Sequence, residues 1–191
     1  EAGIRDRLVT GVQTCALPIS FADVSQTSGP GLQIKQVSRG TAFGDYDNDG
    51  DIDILVVNSN QPPSLLENVG GNQNNWLMFR TIGTSCNRDG IGARMAVTSG
   101  QLRQIREVKS GSSYLSQNDL RLHFGLGTAA QADVVEIRCP NGRVEAFKDV
   151  KANTGPVVKE GGGLEAARLV GSKERLDAFY QARAVVETGL S

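Results

Sequence analysis

The sequence predicts an all-β protein assembled from short strands, and three observations carry that prediction. Apolar stretches are brief and β-branched, as in Ile54-Leu55-Val56-Val57. Turn formers punctuate them throughout, with 23 glycines among 191 residues beside a hydrophobic share of 39%. Several stretches also alternate, Val135 and Ile137 against Glu136 and Arg138, which is the signature of a half-buried strand.

Residues 1–20 stand apart from this pattern. Val9-Thr10-Gly11-Val12-Gln13-Thr14-Cys15-Ala16-Leu17-Pro18-Ile19 has neither clean alternation nor a helical stripe and reads like a translated sequencing adapter. We therefore expect it to be unstructured and leave it out of the fold reasoning. From Phe21 to Val69, Ala42-Phe43 leads into an acidic loop, and Ile52 with residues 54–57 leads out as a strand. Gln61-Pro62-Pro63-Ser64 forces a turn before a short strand at Leu65-Leu66-Glu67-Asn68. The polar run Gly70-Gly71-Asn72-Gln73-Asn74 marks an expected boundary, giving units 21–70 and 71–160.

In the second unit strands are expected at residues 76–80, 93–98, 102–108, 120–124, 133–138 and 144–147. Ser99-Gly100 and Pro140-Asn141-Gly142-Arg143 provide the hairpin turns. Strands this short and frequent indicate a sandwich or a barrel. After Gly161-Gly162-Gly163 the composition shifts, so 161–191 reads as a glycine linker and an amphipathic helix. Ser172 would cap that helix, with Leu176, Phe179, Tyr180 and Ala184 along one face.

The strongest chemical signal is Asp45-Tyr46-Asp47-Asn48-Asp49-Gly50-Asp51-Ile52-Asp53. Calcium takes six to eight oxygen ligands, and carboxylates at alternate loop positions can converge on one ion. Asp45, Asp47 and Asp49 would contribute side-chain oxygens, Asp51 its backbone carbonyl, and Asp53 would close the far side. Gly50 permits the sharp turn. An EF-hand begins the same way, but its twelfth position requires a bidentate Glu, and Val56 stands there. Mg²⁺ is disfavoured because it keeps its waters. An ion-free acidic turn would leave five carboxylates repelling one another.

Phe43-Gly44-Asp45-x-Asp47-x-Asp49-Gly50-x-x-Asp53 resembles the FG-GAP, or VCBS, repeat of integrin-type β-propellers, with Phe21-Ala22-Asp23-Val24 and Arg39-Gly40-Thr41-Ala42 as lead-in. Residues 75–152 resemble the ASPIC/UnbV domain. The matching segments are Asn75-Trp76-Leu77, Asn87-Arg88-Asp89-Gly90-Ile91-Gly92-Ala93, Gly111-Ser112-Ser113-Tyr114-Leu115-Ser116-Gln117 and Leu122-His123-Phe124-Gly125-Leu126-Gly127. The order is that of the C-terminal end of a cartilage acidic protein-type chain. The resemblance implies a remnant of a β-propeller blade, a β-sandwich-like ASPIC/UnbV module, and further blades in a longer parent chain. It also implies an extracellular, cell-surface or periplasmic setting and a binding role. One departure is Cys139, which stands where that family commonly shows Trp before Pro-x-Gly.

Little points to catalysis. His123 is the only histidine and lies within a strand pattern, so it reads as a packed or edge residue. No Gly-x-Ser-x-Gly elbow occurs, and a second His for a zinc site is missing. A net charge of −1 gives no footprint for nucleic acid, and no apolar run approaches the roughly 18–20 residues of a membrane span. Asn87, Arg88, Ser112, Ser113, Tyr114 and Gln117 form a candidate surface for a glycan or an extracellular protein, with Tyr114 as a stacking platform. The competing and preferred reading is turn chemistry that satisfies loop backbone groups. The expected function is a non-enzymatic, calcium-binding adhesion or interaction protein; the alternative is a carbohydrate-binding accessory module of a secreted enzyme. With Cys15 set aside, Cys86 and Cys139 read as two half-buried thiols, able to bridge only in an oxidising compartment.

Overall fold

The computed structural model describes residues 27–165, in a chain that divides into two compact units, Glu1–Lys35 and Gln36–Ser191. In the first unit the described residues form the 3₁₀ turn Pro30–Gln33. Those of the second are nearly all β. The adapter-like segment, the lead-in at Phe21 and the C-terminal helix expected around Lys173 lie outside the described residues.

Strand β1 (Ser38–Gly44) runs into the acidic loop and β2 (Asp53–Asn58) leaves it, paired antiparallel with Gly44 opposite Asp53. β3 (Ser64–Leu66) adds to the other side of β2, so these three strands make a small sheet in sequence order. Pairing sets Ala42, Leu55 and Leu65 on one face and Phe43, Ile54 and Leu66 on the other. Neither face is fully covered: Phe43 is 41% exposed and Leu55 40%.

The main body contains two four-stranded sheets. One is built on β4 (Asn75–Ile82), flanked by β7 (Leu122–Gly127) on one side. On its other side lie β10 (Val157–Lys159) and β11 (Gly163–Glu165). The second sheet takes the order β6 (Leu102–Glu107), β5 (Arg94–Ser99), β8 (Gln131–Arg138), β9 (Val144–Lys151). Neighbours pair antiparallel except β10 with β4, which run parallel. Residues from both sheets meet in one apolar cluster that includes Leu77, Phe79, Phe124, Met95, Val135 and Val158. The rings of Phe79 and Phe124 meet edge to face with centroids 5.9 Å apart, worth about 0.5–1.5 kcal/mol beyond their buried area.

The all-β, sandwich-like architecture is the one expected. Two of the three-residue strands, β10 and β11, escaped the sequence reading. β10 has three residues, too few for alternation to register, and it exists because Pro156 and its neighbours lie alongside β4. The glycines expected as a linker make the β10–β11 turn, where the Gly162 N–H donates to the Lys159 carbonyl. β7 begins at Leu122, because Leu120 and Arg121 belong to the segment that runs past the acidic loop.

β4 positions the site. Residues 76–79 are all buried, so the strand is covered on both faces. Leu77 and Phe79 point into the sandwich core. Trp76 and Met78, on the opposite face by alternation, lie beneath the acidic loop and a cleft beside it.

Candidate metal centre

The acidic loop joins β1 to β2, and its geometry is fixed by its own carboxylates. Asp45 accepts the Asp49 N–H at 3.1 Å through Oδ1 and the Gly50 N–H at 3.0 Å through Oδ2. These bonds draw the chain into a tight turn with Asn48 and Gly50 in the left-handed region, at φ 62° and 100°. Gly50 is required on two counts. Its φ disfavours any side chain, and a Cβ there would overlap the Trp76 indole.

Of the five aspartates expected to bind an ion, the structure brings Asp45, Asp47 and Asp49 together. One oxygen from each lies within 4.8 Å of the others. The carboxylates of Asp53 and Asp51, like that of Asp45, accept backbone donors. Asp53 accepts the Tyr46 N–H at 3.2 Å and the Asn68 N–H at 2.8 Å, tying together the ends of the hairpin. Asp51 accepts the Gly71 N–H at 3.1 Å through Oδ2, while its Oδ1 is buried with no hydrogen-bond donor. The Gly71–Gln73 turn, expected as a connector, closes over the loop, where Asn72 also donates to the Asp49 carboxylate at 3.1 Å.

The electrostatics follow from this crowding. Burial raises the Asp45 carboxyl above its ordinary range, against the lowering effect of the Gly50 N–H and Arg121. Burial, then the neighbouring Asp49 and Asp53, push Asp51 up to about 6. Asp53 is raised chiefly by burial, and its two backbone bonds offset only part of that. An oxygen-only donor set, an unpartnered buried carboxylate oxygen and repelling acids fit a hard divalent cation. Asp45, Asp47 and Asp49 would hold it.

Sequence reasoning missed two residues that seat this loop. Arg121 donates to the Asp45 carbonyl and to Asn48 Oδ1, both at 2.6 Å, and pairs with Asp119 at 2.5 Å. His123 makes a 2.9 Å bond from Nε2 to the Gly50 carbonyl and stacks on Trp76 at 6.2 Å. That bond requires the proton on Nε2. Burial is the main reason the imidazole pKa lies below its usual value, with Arg106 and Arg121 adding to it. The signal was present in Leu120-Arg121-Leu122-His123, since alternation places Arg121 and His123 on one face.

The candidate ligand-surface residues lie on two loops, between β4 and β5 and between β6 and β7. Asn87 Oδ1 accepts the Asp89 N–H at 2.9 Å inside its own turn, and Arg88 lies 4.0 Å from Asp89. Ser112 bonds Ser116 through backbone groups, and Ser113 Oγ accepts the Thr41 N–H at 3.3 Å. Asn118 Oδ1 accepts the Phe43 N–H, and the Asp119 N–H donates to the Phe43 carbonyl, so this loop seals the free edge of β1. Tyr114 is 67% exposed. Gln117 lines a cleft of about 760 Å³ whose walls include Phe43, Tyr46, Leu65 and Arg80.

Residues 83–165 match the family described as ASPIC and UnbV. Over 122 residues the chain is 32% identical to cartilage acidic protein 1 of Xenopus tropicalis. It is 31% identical over 121 residues to the proteins of that name in Mus musculus and Homo sapiens. Each match covers 60% of this chain and 18% of the relative, so the chain spans less than a fifth of the length of those curated relatives.

Proposed function

We propose that this chain serves a non-enzymatic, calcium-binding adhesion or interaction protein that works outside the cytoplasm. The observation that carries the reading is the convergence of Asp45, Asp47 and Asp49 on a left-handed turn. The ion's chemistry would be charge neutralisation: it would relieve the repulsion among acids whose charged forms burial also disfavours. The chain's own residues do the rest. Asp53, Gly71 and Asn72 hold the loop closed, while Arg121, His123 and Trp76 seat it on β4 and β7. In this reading the ion braces the contact between a small sheet and the sandwich.

The small sheet, with partly exposed apolar groups on both faces, suits an FG-GAP/VCBS-type blade that neighbouring blades of a parent chain would cover. The similarity to cartilage acidic protein 1 supports an extracellular setting. Among the described residues no helix is long and apolar enough to cross a membrane.

The test is melting of the full chain in about 10 mM calcium against chelator. For a site of roughly 10⁻⁴–10⁻³ M, as in extracellular modules, binding should add about 1.5–3 kcal/mol. The Asp47→Ala, Asp49→Ala double variant should lose that increment. Equal melting with calcium and with chelator would end the reading. A carbohydrate-binding module is the second reading, favoured by the Tyr46- and Gln117-lined cleft. A glycan array probed with the full chain decides it, silence across sugars alongside retained calcium binding removing it.

A further inference from the structure

Cys86 and Cys139 are distant in sequence. Cys86 lies in the loop between β4 and β5, and Cys139 directly follows β8. Folding brings the two sulfurs and a Glu160 oxygen within 4.8 Å of one another. A void of about 10 Å³ borders all three residues, so the thiols have room to turn towards each other. Closing an S–S bond of about 2.05 Å from this approach needs rotation about the Cα–Cβ bonds, which swings each sulfur while its β-carbon stays in place.

The same trio has the composition of a thiolate metal site, but Glu160 is already spent. Its Oε2 accepts the backbone N–H groups of Thr84, Ser85 and Cys86 at 2.8, 2.8 and 3.2 Å, and the Cys86 thiol at 3.2 Å. Its Oε1 accepts Ser85 Oγ at 2.6 Å and Asn141 Nδ2 at 2.7 Å. Two sulfurs remain, fewer than the three or four protein ligands zinc takes.

We propose that Cys86 and Cys139 form an intramolecular disulfide that fastens the β4–β5 loop to the end of β8. The oxidant is a disulfide, RSSR, of the kind an oxidising compartment supplies. Cys86 loses its proton and its sulfur attacks RSSR, forming a mixed disulfide and expelling one RS⁻. Cys139, deprotonated in turn, attacks the Cys86 sulfur and expels the second RS⁻. The two thiol protons end on the two RSH products. The same two steps balance whichever of the two thiols attacks RSSR first.

Burial and the Glu160 carboxylate push the folded Cys86 thiol up to about 12. Thiolate is therefore scarce once the loop has docked, and the bond forms while the chain folds. Afterwards Glu160 loses one donor and keeps the other groups named above.

The test uses the full chain with Cys15→Ser, since Cys15 lies outside the described residues. It is refolded in a glutathione redox buffer, denatured, alkylated with iodoacetamide and weighed by mass spectrometry. The expected result is no alkylation before reduction and two labels after it, with a melting temperature roughly 10 °C above that of the reduced protein. Cys86→Ser, which keeps a hydroxyl donor for Glu160, should melt like the reduced protein and ignore dithiothreitol. Two labels on the unreduced protein, or a glutathione adduct left on either cysteine, would overturn the proposal. So would protection lifted by a chelator instead of a reductant, or a dithiothreitol-sensitive melt in Cys86→Ser.

Discussion

Two places in this molecule bury carboxylates, and they meet opposite electrostatic conditions. Around Glu160, seven donors converge on a single side chain, from Thr84, Ser85, Cys86 and Asn141. Led by the Ser85 hydroxyl, they hold its carboxyl far below the ordinary range. In the acidic loop the carboxylates have fewer donors each, and Asp45, Asp51 and Asp53 all shift upwards. Burial is common to both places. The supply of donors per charge differs, and it decides whether the chain can stabilise an anion by itself or calls for a cation from outside.

Removing the carboxylate from the self-sufficient site should have the largest effect. Glu160→Ala leaves three backbone N–H groups, two hydroxyls, a thiol and an amide without their shared acceptor, so it should lower the melting temperature more than any substitution below, with or without calcium. Gly50→Ala attacks the other site through strain and overlap with Trp76, costing about 2–4 kcal/mol in chemical denaturation. Unlike Glu160→Ala, it should also weaken calcium binding, measured by calorimetry. Arg121→Met removes the donors to Asp45 and Asn48 while keeping the aliphatic stem, at about 1–2 kcal/mol. If that loss were the same with Asn48→Ala already in place, Arg121 would be acting without its bond to Asn48.

The smallest effect is in pH. The loop carboxylates have raised folded pKa values, so their contribution to stability is present at low pH and lost as pH rises through the folded values, about 6 for Asp51. Glu160, with a lowered value, loses its contribution only as pH falls below the ordinary carboxylate range, and it stays constant above that. His123, lowered as well, loses stability as pH falls below about 6.5 and affects both arms of the comparison alike. The difference in melting temperature between calcium and chelator should therefore grow by a few degrees from about pH 4 to pH 7. A difference that shrinks over this range would show that protons and the cation do not compete for the same oxygens.

The sequence by itself determined the all-β class, the main strands and the position of the acidic loop. Alternation, β-branched runs and turn residues are local properties, written within a few residues of where they act. It also marked Gly50 as the turn residue, although its second reason, the indole of Trp76, lies 26 positions away. Three things were decided only by tertiary structure. Asp51 and Asp53 face backbone donors at Gly71, Tyr46 and Asn68 because the Gly71–Gln73 turn folds back over the loop. Arg121 and His123 became supports of that loop because β7 pairs with β4 beneath it. Glu160 gathered its donors, and two cysteines came together, because a three-residue strand aligned with β4 and carried Glu160 to the loop that follows it. Contacts of this kind depend on which distant segments share a strand or an edge, and that pairing is set by how the sheets stack around their common core.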